Sequence, residues 1–166
     1  NKHLLILYHS QSATTTALAD AVAQGAELEK AIDTVKKLAF DSNIDDLQWA
    51  DAIIFGSPEN FGYMSGALKD FFDRTYHQAQ PLQLSTPYAL FISAGNDGTG
   101  AVREIDRMGL VFSKLPERLR EIDEECGDQK FAFTGVIASH RRPAHFFYDC
   151  LIGMEQCFAD VSSPRC

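Results

Sequence analysis

The 166-residue chain has no cysteine before Cys126, and its four cysteines, Cys126, Cys150, Cys157 and Cys166, match neither a zinc pattern nor a C-x-x-C pair. Small apolar residues or idle surface thiols account for them, although Cys150 and Cys157 would share a face on a helix. Basic residues are also scarce: 15 Lys and Arg stand against 23 Asp and Glu, a net charge of −8. Nonspecific binding to nucleic acid or to an anionic membrane needs clustered cations, and His140-Arg141-Arg142 is too small a cluster to supply them. No apolar run approaches the roughly 20 residues that span a bilayer, and Leu4 to Tyr8 is too short for a signal-peptide core. These absences describe a cytoplasmic chain with no nucleic-acid partner and no membrane insertion.

What is present is the composition of a globular protein, 45% hydrophobic and 23% charged, in a length that suits one core and a single domain over 1–166. Apolar runs alternate with helix-period segments. Leu4 to Tyr8, Thr34 to Phe40, Ala52 to Phe55, Tyr88 to Ile92 and Phe131 to Ala138 predict strands. Between them lie predicted helices marked by Leu18, Val22 and Ala26, by Ile44 to Trp49, by Ser65 to about His77, and by Val102, Ile105 and Met108. Further helices are expected over Pro116 to Glu125 and Ala144 to Phe158. Strictly alternating strands and helices, with strands apolar throughout, predict an α/β fold: a three-layer, doubly wound, five-stranded parallel sheet.

In such a sheet the loops after strands one, three and four share an edge, and ligands bind in the crevice there. The first is His9-Ser10-Gln11-Ser12-Ala13-Thr14-Thr15-Thr16, hydroxyl-rich and at a helix start, a pattern suited to an anion. It holds no Lys or Arg, so a phosphate there would rest on neutral donors; the plainer alternative is that Ser12 or Thr14 caps the helix. The second, Gly56-Ser57-Pro58-Glu59-Asn60-Phe61-Gly62-Tyr63-Met64-Ser65-Gly66, combines turn formers with apolar surface, as a planar ligand with polar edges requires. The third, Ser93-Ala94-Gly95-Asn96-Asp97-Gly98-Thr99-Gly100, is more permissive than a plain connection needs. Together they describe a phosphate pocket flanked by two walls for a flat ring.

Ser10-x-Ser12-x-x-Thr15, the Gly56 to Gly66 segment with Lys69-x-Phe71-x-Asp73-Arg74-Thr75, and Ser93-Ala94-Gly95 resemble the flavodoxin-like FMN proteins. The nearest groups are the NAD(P)H-dependent FMN reductases and the tryptophan-repressor-binding-protein type of quinone reductase. The resemblance runs from about Leu4 to Asp106 and implies strand order 2-1-3-4-5. It implies that Ser10, Gln11, Ser12, Ala13, Thr14 and Thr15 hold the FMN phosphate and that Pro58, Glu59, Asn60, Phe61 and Gly62 meet the isoalloxazine. Ser93, Ala94, Gly95, Asn96 and Gly98 would close the other side and approach the ribityl chain. Two departures stand out. Ala13 replaces a usual glycine, and Gly109 to Cys166 lacks the family's ending.

The activity implied is transfer of reducing equivalents from NADPH or NADH to a quinone, flavin or similar acceptor, in a homo-oligomer (dimer or tetramer). The flavin would carry the chemistry, so no catalytic side chain and no metal is expected. The alternative is a flavodoxin-type electron carrier without its own substrate, against which stands the lack of an aromatic in Asn96-Asp97-Gly98; a third is a relative that binds no flavin. Glu59 and Asn60 could bond to the ring or simply form an exposed turn, Phe61 and Tyr63 could stack or pack, and His140-Arg141-Arg142 could attract NADPH phosphates or be a solvated loop. A response-regulator receiver of the same topology is excluded, since His9-Ser10 and Gly56-Ser57-Pro58 occupy the places of its acidic residues.

Overall fold

The computed structural model describes residues 1–84, 86–112, 117–126 and 129–137, with side chains up to residue 109. Its elements are β1 (Lys2–Tyr8), α1 (Ala13–Glu27), β2 (Ile32–Leu38), α2 (Ile44–Trp49), β3 (Ala52–Pro58), α3 (Gly66–Ala79), β4 (Tyr88–Ala94), α4 (Thr99–Phe112), β5 (Glu117–Cys126) and β6 (Gln129–Ile137). The sheet order is β2-β1-β3-β4-β6-β5. From β2 to β4 every pairing is parallel.

Strands β1, β3 and β4 are buried because a parallel sheet sends its connections over both faces. Residues alternate sides accordingly. Leu5, Leu7, Ile53, Phe55, Leu90 and Ile92 join Leu47, Leu68, Phe71, Phe72 and Ile105 in one core, beneath α2, α3 and α4. Leu4, Ile6, Tyr8, Ile54 and Phe91 join Leu18, Ala19 and Val22 of α1 in the other. Each such Leu, Ile or Phe contributes about 1.5–3 kcal/mol by leaving water. The α/β architecture with helices on both faces is therefore as expected.

Three expectations are corrected. The second strand covers Ile32–Leu38, because Ile32 pairs with Lys2 and residues Ala39–Asp41 turn into a short 3-10 helix. The helix expected over Pro116 to Glu125 gives way to a strand over Glu117–Cys126, antiparallel to β6. A segment of this length is a marginal helix on its own, and pairing with a neighbouring strand overrides its helical spacing. The sheet is not wholly parallel with five strands, since β6 lies beside β4 antiparallel, Ser93 opposite Phe131. Ala144 to Phe158, His140-Arg141-Arg142, Cys150, Cys157 and Cys166 lie outside the described residues. Among the described residues no helix is long and apolar enough to cross a membrane.

The helical half of the long motif is structural. Arg74 donates to the carbonyls of Ser42 (3.1 Å) and Ala39 (3.0 Å), tying α3 to the turn after β2. Thr75 Oγ1 donates to Phe71 O at 2.8 Å, and Lys69 pairs with Asp73 one turn on.

Gly56 lies under the Phe91 ring, where an added Cβ would stand 2.0 Å from the nearest ring carbon. Phe91 is 1% exposed and has nowhere to go. Gly56→Ala is expected to lower stability by about 1–3 kcal/mol. Gly66→Ala, with open space at the Cβ, should leave it nearly unchanged. Thermal unfolding of the two variants checks the difference; equal midpoints would contradict the packing described.

Candidate functional site

Tyr8 pairs with Gly56 and Pro58 with Ser93, so the loops after β1, β3 and β4 emerge side by side. They are tied to one another. Thr15 Oγ1 and Ser93 Oγ share a hydrogen bond of 2.6 Å, both residues buried. Asn60 Nδ2 donates to Gln11 Oε1 at 3.0 Å, and Glu59 N donates to Ser93 O at 2.8 Å. The candidate residues of the three loops thus form one continuous edge.

Within the first loop, the Ser10 hydroxyl donates to Ser12 O and accepts from Thr16 N at 3.2 Å. Ser12 is the N-cap of α1, yet its side chain makes no capping bond, so the plainer alternative for Ser12 does not hold. Gln11, Ser12 and Ala13 are exposed, and α1 has no acidic residue in its first turn. The other helix starts are dressed. Asn43 and Asp46 form a capping box on α2, Ser65 Oγ accepts from Leu68 N on α3, and Asp97 Oδ1 accepts from Thr99 N on α4. Among the described helices, only α1 presents uncapped amides and hydroxyls, with the positive end of its dipole behind them. That donor set fits a phosphate monoester. Ala13 does not disturb it: it begins the helix, and the only described non-glycine residues with positive φ are Phe61 and Gln83.

The second loop is a tight turn. Asn60 and Tyr63 exchange both backbone hydrogen bonds (2.9 and 3.0 Å), leaving Phe61 (φ 54°) and Gly62 (φ 70°) at the tip. Two left-handed residues in succession define the mirror-image turn that suits a two-residue hairpin. Glycine takes that conformation freely, whereas in Phe61 it costs about 1–2 kcal/mol. Phe61 nevertheless holds its whole ring in solvent, and Tyr63 packs partly buried against the core. Below the turn, Ser57 Oγ donates to Pro58 O (2.8 Å) and accepts from Ser65 N (2.9 Å), which closes the loop on itself. The Glu59 carboxylate accepts from Ala101 N at 3.2 Å, so its side chain is no free turn residue. In the third loop Ser93 and Ala94 end β4 in burial, Gly95 and Asn96 are exposed, and Gly98 has φ 72°.

Ser57, Ser65, Gly100 and Ala101 also shape the site, though the sequence names none of them as a cofactor contact. Ser65 carries a visible signal, a hydroxyl just before a helical pattern. Gly100 carries none, because its reason is contact across the fold: a Cβ there would lie 2.0 Å from Gly62 O. At the start of the first loop, His9 Nδ1 is buried without a hydrogen-bond partner, and the ring lies edge-on to Phe40 at 5.9 Å.

A sheet whose β2-β1-β3-β4 strands run parallel, with helices on both faces and three loops along one edge, defines a flavodoxin-like fold. Residues 14–115 match the family model described as NADPH-dependent FMN reductase, and the chain belongs to that family. It is 33% identical over 70 residues to a flavodoxin of Aquifex aeolicus, covering 42% of this chain and 38% of that one. It is 32% identical over 96 residues to an NAD(P)H dehydrogenase (quinone) of Archaeoglobus fulgidus, covering 43% and 50%. The chain therefore spans half or less of the length of these curated relatives. Among solved structures, an archaeal flavodoxin superposes with a TM-score of 0.60 at 19% identity, over 95% of this chain and 97% of that one.

Burial lowers the His9 pKa below its ordinary 6.5. The unfolded chain therefore takes up this proton first as pH falls. The stability that neutral His9 contributes is complete above pH 6.5 and is lost as pH drops through the lower folded-state value. His9→Asn should flatten that part of the acid limb, read by urea unfolding at pH 7 and pH 5; an unchanged slope would refute it.

Proposed function

We propose that the chain is an FMN-dependent oxidoreductase that passes reducing equivalents from NADPH or NADH to a quinone, flavin or similar small acceptor. The observation that carries this is the undressed start of α1, at Ser12 and Ala13, directly before the family match at residues 14–115. The chemistry FMN supplies when bound is acceptance of two electrons from the nicotinamide and their release to the acceptor. Ser10, Gln11, Ser12, Ala13, Thr14 and Thr15 would hold its phosphate by hydroxyls and helix amides. In Ser10 and Thr15 the hydroxyls are committed within the protein, so Ser12, Thr14 and the amides supply the contacts. Pro58, Glu59, Asn60, Phe61 and Gly62 would border the ring. The Asn60 amide is spent on Tyr63, which leaves the tip amides of Phe61 and Gly62 to face negative charge developing there. Ser93, Ala94, Gly95, Asn96 and Gly98 would line the opposite wall.

An electron carrier without its own substrate is the second reading, favoured by the exposed Phe61, since carriers use aromatic walls. Either way we place the chain in the cytoplasm, as a homo-oligomer with no nucleic-acid partner, consistent with its net charge of −8.

Titration of the purified chain with FMN should give a yellow complex, and NADPH with a quinone should then be consumed catalytically. Protein that takes up no FMN at large excess would overturn the proposal; uptake without NADPH oxidation would favour the carrier. Ser12→Ala is expected to weaken FMN by roughly tenfold, the value of one hydrogen bond to a charged group, while leaving riboflavin unaffected.

A further inference from the structure

Glu59 makes contacts that reach beyond its own turn. Its amide donates to Ser93 O at 2.8 Å, and its carboxylate accepts from Ala101 N, 42 positions along the chain. Ala101 is in the first turn of α4, where amides have no intrahelical acceptor and a carboxylate is favoured. One residue earlier, Gly100 approaches so closely that an added Cβ would stand 2.0 Å from Gly62 O and 2.6 Å from Gly62 C. The Phe61–Gly62 tip is thus pressed onto α4, and Glu59 is the side chain that grips across the contact.

We infer that Glu59 is a positioning residue: by holding Ala101 N, its carboxylate sets the Phe61–Gly62 tip against α4, and through that tip tunes the affinity and reduction potential of the bound flavin. This rests on the FMN binding proposed above. In this role the carboxylate does not touch the cofactor. It acts through the amides of Phe61 and Gly62, whose left-handed conformations are held by the surrounding structure and relax when an anchor is lost. The carboxylate acts on the ring end because its bond is to α4, whereas the phosphate end is held by Ser10 and by the Thr15–Ser93 hydroxyl pair, which the side chain of Glu59 does not touch.

The test is to titrate wild type, Glu59→Ala and Glu59→Gln with FMN and with riboflavin, and to measure the reduction potential of bound FMN. Glu59→Ala should weaken both ligands by the same factor, on the order of tenfold, and make the potential more negative as oriented donors are lost. Glu59→Gln, whose amide oxygen can still accept from Ala101 N, should restore most of both. Gly100→Ala, which displaces the same turn while retaining Glu59, should reproduce the Glu59→Ala behaviour. Wild-type affinities and potential in Glu59→Ala would overturn the inference, as would a loss of FMN affinity with riboflavin unchanged. If Glu59→Ala does not fold, Glu59→Asp, which withdraws the carboxylate by one methylene, carries the same expectations. Should the wild type take up no FMN, the proposed function fails by itself. Amide exchange at Ala101, expected to be slow in wild type and faster in Glu59→Ala, then decides the grip independently.

Discussion

Strand β3 has a parallel neighbour on each side and a helix-covered core on each face, and the rest of the molecule is arranged around that double pairing. Parallel neighbours cannot be joined by a hairpin, so each connection crosses a face as a helix. The crossings bury both faces, which is why β1, β3 and β4 read as apolar runs. They also bring the starts of successive helices to the carboxyl edge, each with unpaired amides and a positive dipole end. An edge built this way collects positive potential without any lysine or arginine. On α2, α3 and α4 that potential is met by Asn43 with Asp46, by Ser65, and by Asp97 with Glu59. On α1 it is left open.

Close approach is the second demand on this edge, and it is met by removing side chains or pairing them. Gly56 makes room for the Phe91 ring, and Gly100 makes room for Gly62 O. Thr15 and Ser93 spend their hydroxyls on each other at 2.6 Å. These arrangements draw the three loops close enough to act as one surface. They leave one local cost, the left-handed Phe61, where a ring stands fully in solvent. A strained, exposed aromatic on this edge is the kind of conformation that persists where a ligand is to be met.

The sheet's central strands were legible because burial on both faces writes itself into an unbroken apolar run. The edge strand β2 was harder, since it carries Lys36 and Lys37, whose partners Asp20 and Asp46 lie on α1 and α2. Its boundary therefore shifted by two residues, to where Ile32 finds Lys2. Residues 117–126 were misread because Leu119 and Ile122 are spaced as on a helix, while the pairing with β6 that decides the matter is long-range. At the site, the three loops were legible from glycine, hydroxyl and turn composition. Who bonds to whom was not. Thr15 and Ser93 look like ligand hydroxyls until the fold brings them together across 78 positions. Glu59 looks like a turn residue until α4 arrives beside it.

This division between composition and contact bears on how the site would treat a charged ligand. With no cation in the loop at Ser10 to Thr16, any attraction for a phosphate would come from amide and hydroxyl dipoles, not from mobile ammonium or guanidinium groups. Dipoles attract usefully only when they are already oriented, because a donor that must reorganise first loses much of its advantage. The orientation here is supplied by Ser10, which laces Ser12 to Thr16, and by Thr15 anchored to the end of β4. The same anchor strand accepts the amide of Glu59, so the first and second loops share Ser93 as their common support. Both loops depend on how firmly the end of β4 is held beside β3, while the Glu59 carboxylate, bonded to α4, bears on the second loop alone.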